Sequence, residues 1–122
     1  MVMYMIEFNK NRPIYLQISE DIANKMLKGN LVPGDKLPSI RELASIYTVN
    51  PNTIQKVMHH LSSFNLVEVV RGIGTIVSKS IYIEMYKNKL IEKDVSEFIK
   101  KMKNQNYTYE DAITRIKEKW DK

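Results

Sequence analysis

Residues 37–66 constrain the fold most, because they carry two short amphipathic helix patterns separated by a tight break. Ser39 is placed to cap the first helix, and Glu42, three residues later, completes the pattern of a capping box. Asn50 is placed to cap the second helix, with Pro51 at the first helical position, where its missing N–H costs nothing. Only about three residues remain for the bend, and that length predicts a helix-turn-helix.

The second helix of this pair has an outward face made of hydrogen-bonding side chains. At about 100° per residue, its apolar and polar residues separate onto opposite sides. Amides, hydroxyls and lysines read base edges and phosphates in a DNA major groove, although a merely solvated face is the alternative. The apolar side carries Ile54, Val57, Met58 and Leu61, and the polar side carries Asn52, Lys56, His59 and Ser63, flanked by Thr53 and Gln55.

Composition excludes several classes of protein. The 122 residues suffice for one ordinary domain, or for a small one with an appendage. The absence of cysteine excludes disulfides, thiolate metal sites and cysteine catalysis, and fits a reducing cytosol. The net charge of +5 favours a polyanionic partner without demanding one. The apolar opening, residues 1–8, meets Glu7 at once and is expected to be neither a signal peptide nor a membrane span.

The residues before the central pair predict one more helix and a turn. A core-facing helix runs from Pro13 to about Lys28, and Gly29 is placed as its stop. The pair Pro33-Gly34 signals a turn that returns the chain to the central helices. Ile6 and Phe8 alternate with polar neighbours, which predicts a short extended piece.

A β-hairpin is predicted directly after the central helices. Residues 66–70 and 75–77 are rich in β-branched residues, and the turn Arg71-Gly72-Ile73-Gly74 separates them. A hairpin that follows a helix-turn-helix is a wing. Its glycines would let the backbone approach a phosphate or a narrow groove, where the arginine meets negative potential. The alternative is a hairpin that only covers the core.

The remaining residues predict two helices joined by a short break. One runs from about Ile81 to Met102, and Thr108 with Asp111 caps the next. The apolar surface of these two helices exceeds what the contact between them can bury. The surplus predicts that a second copy of the chain packs against them; packing onto the preceding domain is the alternative. The predicted dimer contacts are Tyr86, Leu90, Val95, Phe98, Met102, Ile113, Ile116 and Trp120.

Four spaced motifs stand out: PIY-x-QI at 13–18, G-x-L-x-PGD-x-LPS-x-RELA at 29–44, VNPNT at 49–53 and RG-x-GT at 71–75. Together they resemble the winged helix-turn-helix of the GntR family of bacterial transcription regulators. The resemblance covers about the first eighty positions, and the short tail resembles the YtrA-like subfamily, whose members lack a bulky effector domain and dimerise through the tail. It implies an α+β, mainly α fold, with a DNA-binding domain at 1–79 and a dimerisation hairpin at 80–122.

The resemblance also implies roles for individual residues. Arg41 matches the family arginine that contacts DNA. Thr53 matches a recognition-helix residue that touches the backbone, and Gly72 matches the wing glycine at the minor groove. Pro51 and Gln55 stand where other branches place arginines that read guanine, so the operator sequence of those branches is not carried over.

These patterns together predict a dimeric, sequence-specific DNA-binding repressor, acting in the cytoplasm at the nucleoid. The resemblance adds the control of transporter genes. Each recognition helix would enter a major groove of a twofold-related operator, with half-site centres roughly 34 Å apart or a multiple of that spacing. The predicted DNA-binding residues are Ser39, Arg41, Asn50, Pro51, Asn52, Thr53, Gln55, Lys56, Arg71, Gly72 and Gly74.

Other classes of function have less support. His59 and His60 are the only histidines, and adjacent helix positions point about 100° apart, so they cannot grip one metal from one face. The sequence shows no recognisable nucleophile–base or paired-carboxylate arrangement. We therefore expect that the chain is not an enzyme and binds no cofactor and no metal. A winged-helix adaptor that binds proteins and not DNA is the main alternative. A two-helix tail offers little enclosed volume for a small-molecule effector.

Overall fold

The computed structural model describes residue 4 and residues 6–122 of the chain. The described residues form five helices and one two-stranded antiparallel sheet, which confirms the predicted class, mainly α with a small β wing. The elements are α1 (Ile14–Leu27), α2 (Ile40–Tyr47), α3 (Pro51–Ser63), β1 (Val67–Val70), β2 (Gly74–Val77), α4 (Ser80–Asn104) and α5 (Tyr109–Trp120).

The chain divides into two compact units, and the division falls inside α4. Tyr86 is the last residue of the first unit, and Lys87 is the first residue of the second. The sequence-based boundary between residues 79 and 80 stays a prediction. Over residue 4 and residues 6–122, no helix is both long and apolar enough to cross a membrane.

The core of the first unit lies among α1, α2 and α3. Helices α1 and α2 both pack against α3, so α3 presents one side to the core and the other to solvent. Helix α1 faces the core as predicted, although Ile14 in its first turn is exposed. Each fully buried aliphatic side chain contributes about 1.5–3 kcal/mol. Those buried in these helices include Ile18, Ile22, Leu43, Ile54, Val57 and Leu61.

Both predicted caps of the helix-turn-helix are confirmed. The Glu42 N–H donates to Ser39 Oγ at 3.1 Å, and the Ser39 N–H donates to the Glu42 carboxylate at 3.0 Å. At α3, the Asn52 N–H donates to Asn50 Oδ1 at 2.8 Å, and Pro51 is the first helical residue. The Ser39 N–H holds the pKa of Glu42 below its usual value. The box therefore stabilises the fold at neutral pH, and its contribution is lost as pH falls through that lowered pKa.

The bend between α2 and α3 depends on one strained residue. Thr48 ends α2 in the left-handed region, with φ of 56°. This conformation costs a non-glycine residue on the order of 1 kcal/mol. The Val49 N–H donates to the Ala44 carbonyl at 2.9 Å and so fixes the turn.

A hydrogen-bonded network that the sequence did not predict ties α1 to the end of α2. The Tyr47 hydroxyl donates to Asp21 Oδ2 at 2.6 Å, and Lys25 Nζ donates to the same oxygen at 2.8 Å. Burial first, and then the bond to Asp21, raises the pKa of Tyr47. The ring of Tyr4 lies edge-on to Tyr47, with centroids 6.0 Å apart. The network fixes the end of α2 just before the strained turn.

We expect Tyr47→Phe to lower the free energy of unfolding by about 1.5 kcal/mol, because it removes a hydrogen bond to a charged, half-buried carboxylate. Urea unfolding at neutral pH measures the loss. Tyr15→Phe is the matched control, since the Tyr15 hydroxyl forms no hydrogen bond with the described residues, and it should change stability by less than about 0.5 kcal/mol. Equal effects of the two substitutions would contradict the role of the Tyr47–Asp21 bond.

The predicted wing is present, and it pairs with an additional segment. Val67 pairs with Val77 and Val70 with Gly74, so residues 71–73 form the tip. The Leu37 N–H donates to the Thr75 carbonyl at 2.9 Å, and the Val77 N–H donates to the Asp35 carbonyl at 2.8 Å. Residues 35–37 therefore run beside β2 and tie the start of α2 to the wing.

The predicted extended piece near the N-terminus belongs to no strand in the structure. Ile6 and Phe8 are half-buried, and neither belongs to a strand. A side chain of α1 binds the backbone of Asn9, the residue after Phe8. Gln17 accepts from the Asn9 N–H and donates to the Asn9 carbonyl, both at 2.7 Å. These two bonds tie the backbone of Asn9 to α1.

The second unit consists of the rest of α4 followed by α5. Helix α4 ends at Asn104, two residues later than predicted, and the predicted capping box of α5 is confirmed. The Thr108 N–H donates to Asp111 at 2.9 Å, and the Asp111 N–H donates to Thr108 Oγ1 at 3.2 Å. The Arg115 guanidinium lies over the Tyr107 ring, 4.6 Å from its centroid. No described side chain of α5 is buried.

Candidate nucleic-acid interface

Helix α3 presents the outward polar face that its sequence predicts. Its inward residues Ile54, Val57 and Leu61 are at most 1% exposed, so they fix the rotation of the helix. Met58 and Thr53 are half-buried at the two borders of the face. The exposed side chains opposite the core are Asn52, Gln55, Lys56, His59 and Ser63.

A first open groove, here the tyrosine groove, lies along this face. It brings Tyr15 of α1 beside the polar side chains of α3. The Tyr15 ring is edge-on to His60 with centroids 6.1 Å apart, and His60 is edge-on to Phe64 at 5.2 Å. Tyr15 and His60 were not predicted as site residues, and the family motif PIY-x-QI was the only signal for Tyr15. The groove is lined by Tyr15, Asn52, Gln55, Lys56, His59, His60 and Ser63.

A second groove, here the wing groove, joins the start of α2 to the wing. Ser39 and Arg41 lie on its α2 side, and Gly74 lies on its wing side, so the structure brings three predicted site residues together. Met58 of α3 also lines it. Lys36, which was not predicted as a site residue, lies in the same groove. Arg71 and Gly72 are exposed at the adjoining wing tip.

The wing tip has the backbone freedom that its glycines predict. Gly72 has φ of +83° and Gly74 has φ of +121°, both in the region that side chains disfavour. The Ile73 N–H donates to the Val70 carbonyl at 3.0 Å and closes the turn. Nothing lies within 4 Å of where a Cβ of Gly72 would stand, so its backbone is open to a ligand.

The cationic side chains of these surfaces are available to an anion. Arg41, Lys56 and Arg71 are exposed, and none of them belongs to an ion pair within the described residues. The ion pairs found there join Arg12 to Glu20 and Lys25 to Asp21, on α1 and the segment before it. The carboxylate next to Arg41, that of Glu42, is bonded to the Ser39 N–H.

Four of the predicted site residues serve the local structure of the two helix starts. The side-chain oxygens of Ser39 and Asn50 accept the capping hydrogen bonds, Pro51 begins α3, and Thr53 is half-buried. They place the exposed amides and cations of the neighbouring positions. The arrangement offers amide groups for base edges, cations for phosphates and an open glycine backbone at the wing.

Comparison with known proteins identifies the family. Residues 14–77 match the model of bacterial regulatory proteins of the gntR family. The HTH-type transcriptional regulator YhcF of Bacillus subtilis is 39% identical over 112 residues, which is 91% of this chain and 93% of that protein. The HTH-type transcriptional repressor YtrA of the same species is 40% identical over 88 residues, 72% of this chain and 68% of that protein.

Two solved structures show the same fold. A GntR family transcriptional regulator from Listeria monocytogenes has a TM-score of 0.82 and 33% identity, covering 91% of this chain and 98% of the other. The DNA-binding domain of AraR, solved in complex with the operator ORE1, has a TM-score of 0.53 and 30% identity, covering 64% of this chain and 98% of the other.

The matched family and both Bacillus relatives are transcription regulators and not enzymes, which confirms that prediction. The winged helix-turn-helix and the short helical tail agree with the predicted subfamily. This chain is therefore a helix-turn-helix transcription regulator that belongs to the GntR family, in its YtrA-like subfamily.

Proposed function

We propose that this chain is a dimeric repressor that binds operator DNA through α3, the start of α2 and the wing. The observation that carries the proposal is the exposed polar face of α3, with Arg41 and Gly74 sharing the adjoining groove. The AraR domain of the same fold was solved with an operator, and the relative YtrA is named a repressor. A cytoplasmic regulator of transporter genes is the corresponding biological role.

Each element has a distinct proposed task on the duplex. Asn52 and Gln55 supply side-chain amides, each of which can form two hydrogen bonds to one base edge in the major groove. Arg41, Lys56 and Arg71 neutralise phosphates or reach bases. Gly72 and Gly74 let the wing backbone enter the flanking minor groove. The remaining proposed DNA-binding residues position these amides and cations and face the DNA backbone. They are Ser39, Asn50, Pro51 and Thr53.

Dimerisation is proposed for residues 80–122, with residues 1–79 as the DNA-binding domain. Contiguous apolar surface on a small helical unit favours a partner. In the second unit, Val95 and Ile116 remain exposed, and Trp120 is 80% exposed. The proposed seam comprises Leu90, Val95, Phe98, Met102, Ile113, Ile116 and Trp120.

Tyr86, also a predicted dimer contact, is the one we expect to contribute least to dimerisation. It is 8% exposed, and its ring lies edge-on to Phe64 of the same chain, with centroids 5.0 Å apart. Burial raises the pKa of its hydroxyl. Little of its surface is left for a second copy, so the dimer depends on the residues that follow it.

Footprinting on the promoter upstream of the chain's own gene tests the proposal. We expect protection of two half-sites whose centres lie roughly 34 Å apart or a multiple of that spacing. Affinity should fall steeply with salt, because several phosphate contacts release counterions. Absence of protection, together with salt-independent behaviour on every duplex tried, would favour a protein-binding adaptor.

A further inference from the structure

Lys36 occupies a defined position beside the wing, although no sequence motif marked it as a site residue. Its segment runs beside β2, where it forms an antiparallel bridge with Ile76. The side chain comes close to the wing at Gly74: a Cβ placed on that glycine would stand 3.2 Å from Lys36 Cε. The absence of a side chain on Gly74 therefore leaves room for the lysine stem.

The surroundings of Lys36 in the wing groove are suited to an anion. Arg41 lines the same groove, and the hydroxyl-bearing residues Ser39 and Thr75 lie there as well. The groove also contains Glu42, whose carboxylate accepts the Ser39 N–H and has a pKa that Lys36 helps to lower. Neither Lys36 nor Arg41 forms an ion pair with any residue of the described chain.

The position of the groove identifies which part of a duplex would meet it. It is bounded by α2, by Met58 of α3 and by the wing. When a helix enters a major groove and a wing enters the next minor groove, the strand that separates the two grooves passes between them. That strand presents phosphates and not base edges.

We propose that Lys36 and Arg41 together hold one DNA phosphate in the wing groove, with Lys36 directed by Gly74. This inference rests on the proposed DNA binding. The Lys36 contribution is independent of base sequence, because the contact is made to the backbone. Arg41 differs, since its guanidinium can reach a base as well as a phosphate.

Gel-shift titrations of Lys36→Gln over a series of salt concentrations test this role. We expect weaker binding by a similar factor on the operator and on an unrelated duplex, and a salt slope smaller by about one per bound protomer. Lys36→Arg should restore the slope. Lys79→Gln is the matched control: Lys79 is exposed and follows the end of β2 away from the wing tip, so removal of the same charge there should leave the slope unchanged.

Three outcomes would overturn the inference in distinguishable ways. If Lys36→Gln leaves the salt slope of binding unchanged while wild-type protein binds the operator, the phosphate contact is refuted and the proposed function stands. A loss confined to the operator would indicate base reading by Lys36. Failure of the wild-type chain to bind any duplex would overturn both the contact and the proposed function. Thermal unfolding of each variant verifies that the fold is unchanged.

Discussion

Arg41→Ala should weaken operator binding about a hundredfold and leave the free energy of unfolding unchanged. The side chain is exposed, belongs to no ion pair in the described chain and lies in the wing groove. An arginine contact to a base or phosphate is worth about 1–3 kcal/mol, and a dimer would lose two of them. Gel-shift titration at one fixed salt concentration measures the loss, and urea unfolding measures the stability.

Arg115→Ala is the control for the removal of one positive charge. Arg115 is exposed in the second unit, where it lies over the Tyr107 ring and has no proposed contact with DNA. Its removal should change operator affinity by less than about threefold, because no proposed contact with a phosphate is lost. Equal affinities of Arg41→Ala and wild-type protein would contradict the DNA contact assigned to Arg41.

Phe98→Asp should convert the proposed dimer into a monomer that binds the operator poorly. Phe98 is half-buried on α4, between Val95 one turn before it and Met102 one turn after it. A carboxylate placed in an apolar seam is desolvated without a partner, which costs several kcal/mol. Loss of the second binding site removes about 10²- to 10⁴-fold of avidity. Equilibrium sedimentation measures the mass, and gel shift measures the affinity.

Ser96→Asp is the matched control for this substitution. It adds the same charge to α4 at an exposed position, and 200° of helix rotation separates it from Phe98, by roughly 100° per residue. This variant should remain a dimer with wild-type affinity. A dimer that survives Phe98→Asp would show that the proposed seam lies elsewhere on the chain.

Local chemistry made the helix ends and the wing predictable from sequence. The two capping boxes, Ser39 with Glu42 and Thr108 with Asp111, act over three residues, so their spacing alone specifies them. The polar face of α3 was predictable because helical periodicity decides which side faces the core. The glycines of the wing tip indicated the turn that the structure has.

Contacts between distant residues could not be read from the sequence. The Tyr47–Asp21 bond joins positions 26 apart and depends on how α1 meets α2. The packing of Phe64 against Tyr86 joins the end of α3 to α4. Tyr86, which the apolar stripe of α4 predicted as a dimer contact, therefore packs within its own chain.

For the site, the most useful of these long-range arrangements is the placement of Lys36 beside Gly74. It exists because residues 35–37 pair with β2, a long-range pairing with no signature in local spacing. Tyr15 joins the tyrosine groove for a similar reason, since α1 packs against α3. Periodicity alone therefore predicted the residues of α3 but not those that other elements bring beside it.

Amide NMR of isotope-labelled protein, titrated with the footprinted duplex, tests directly whether α3, the start of α2 and the wing form the DNA face. The signals of Arg41, Asn52, Gln55, Lys56 and Gly72 should shift or broaden on addition of DNA, while those of α5 stay in place. Perturbation of α5 with α3 and the wing unchanged would contradict DNA recognition by this surface.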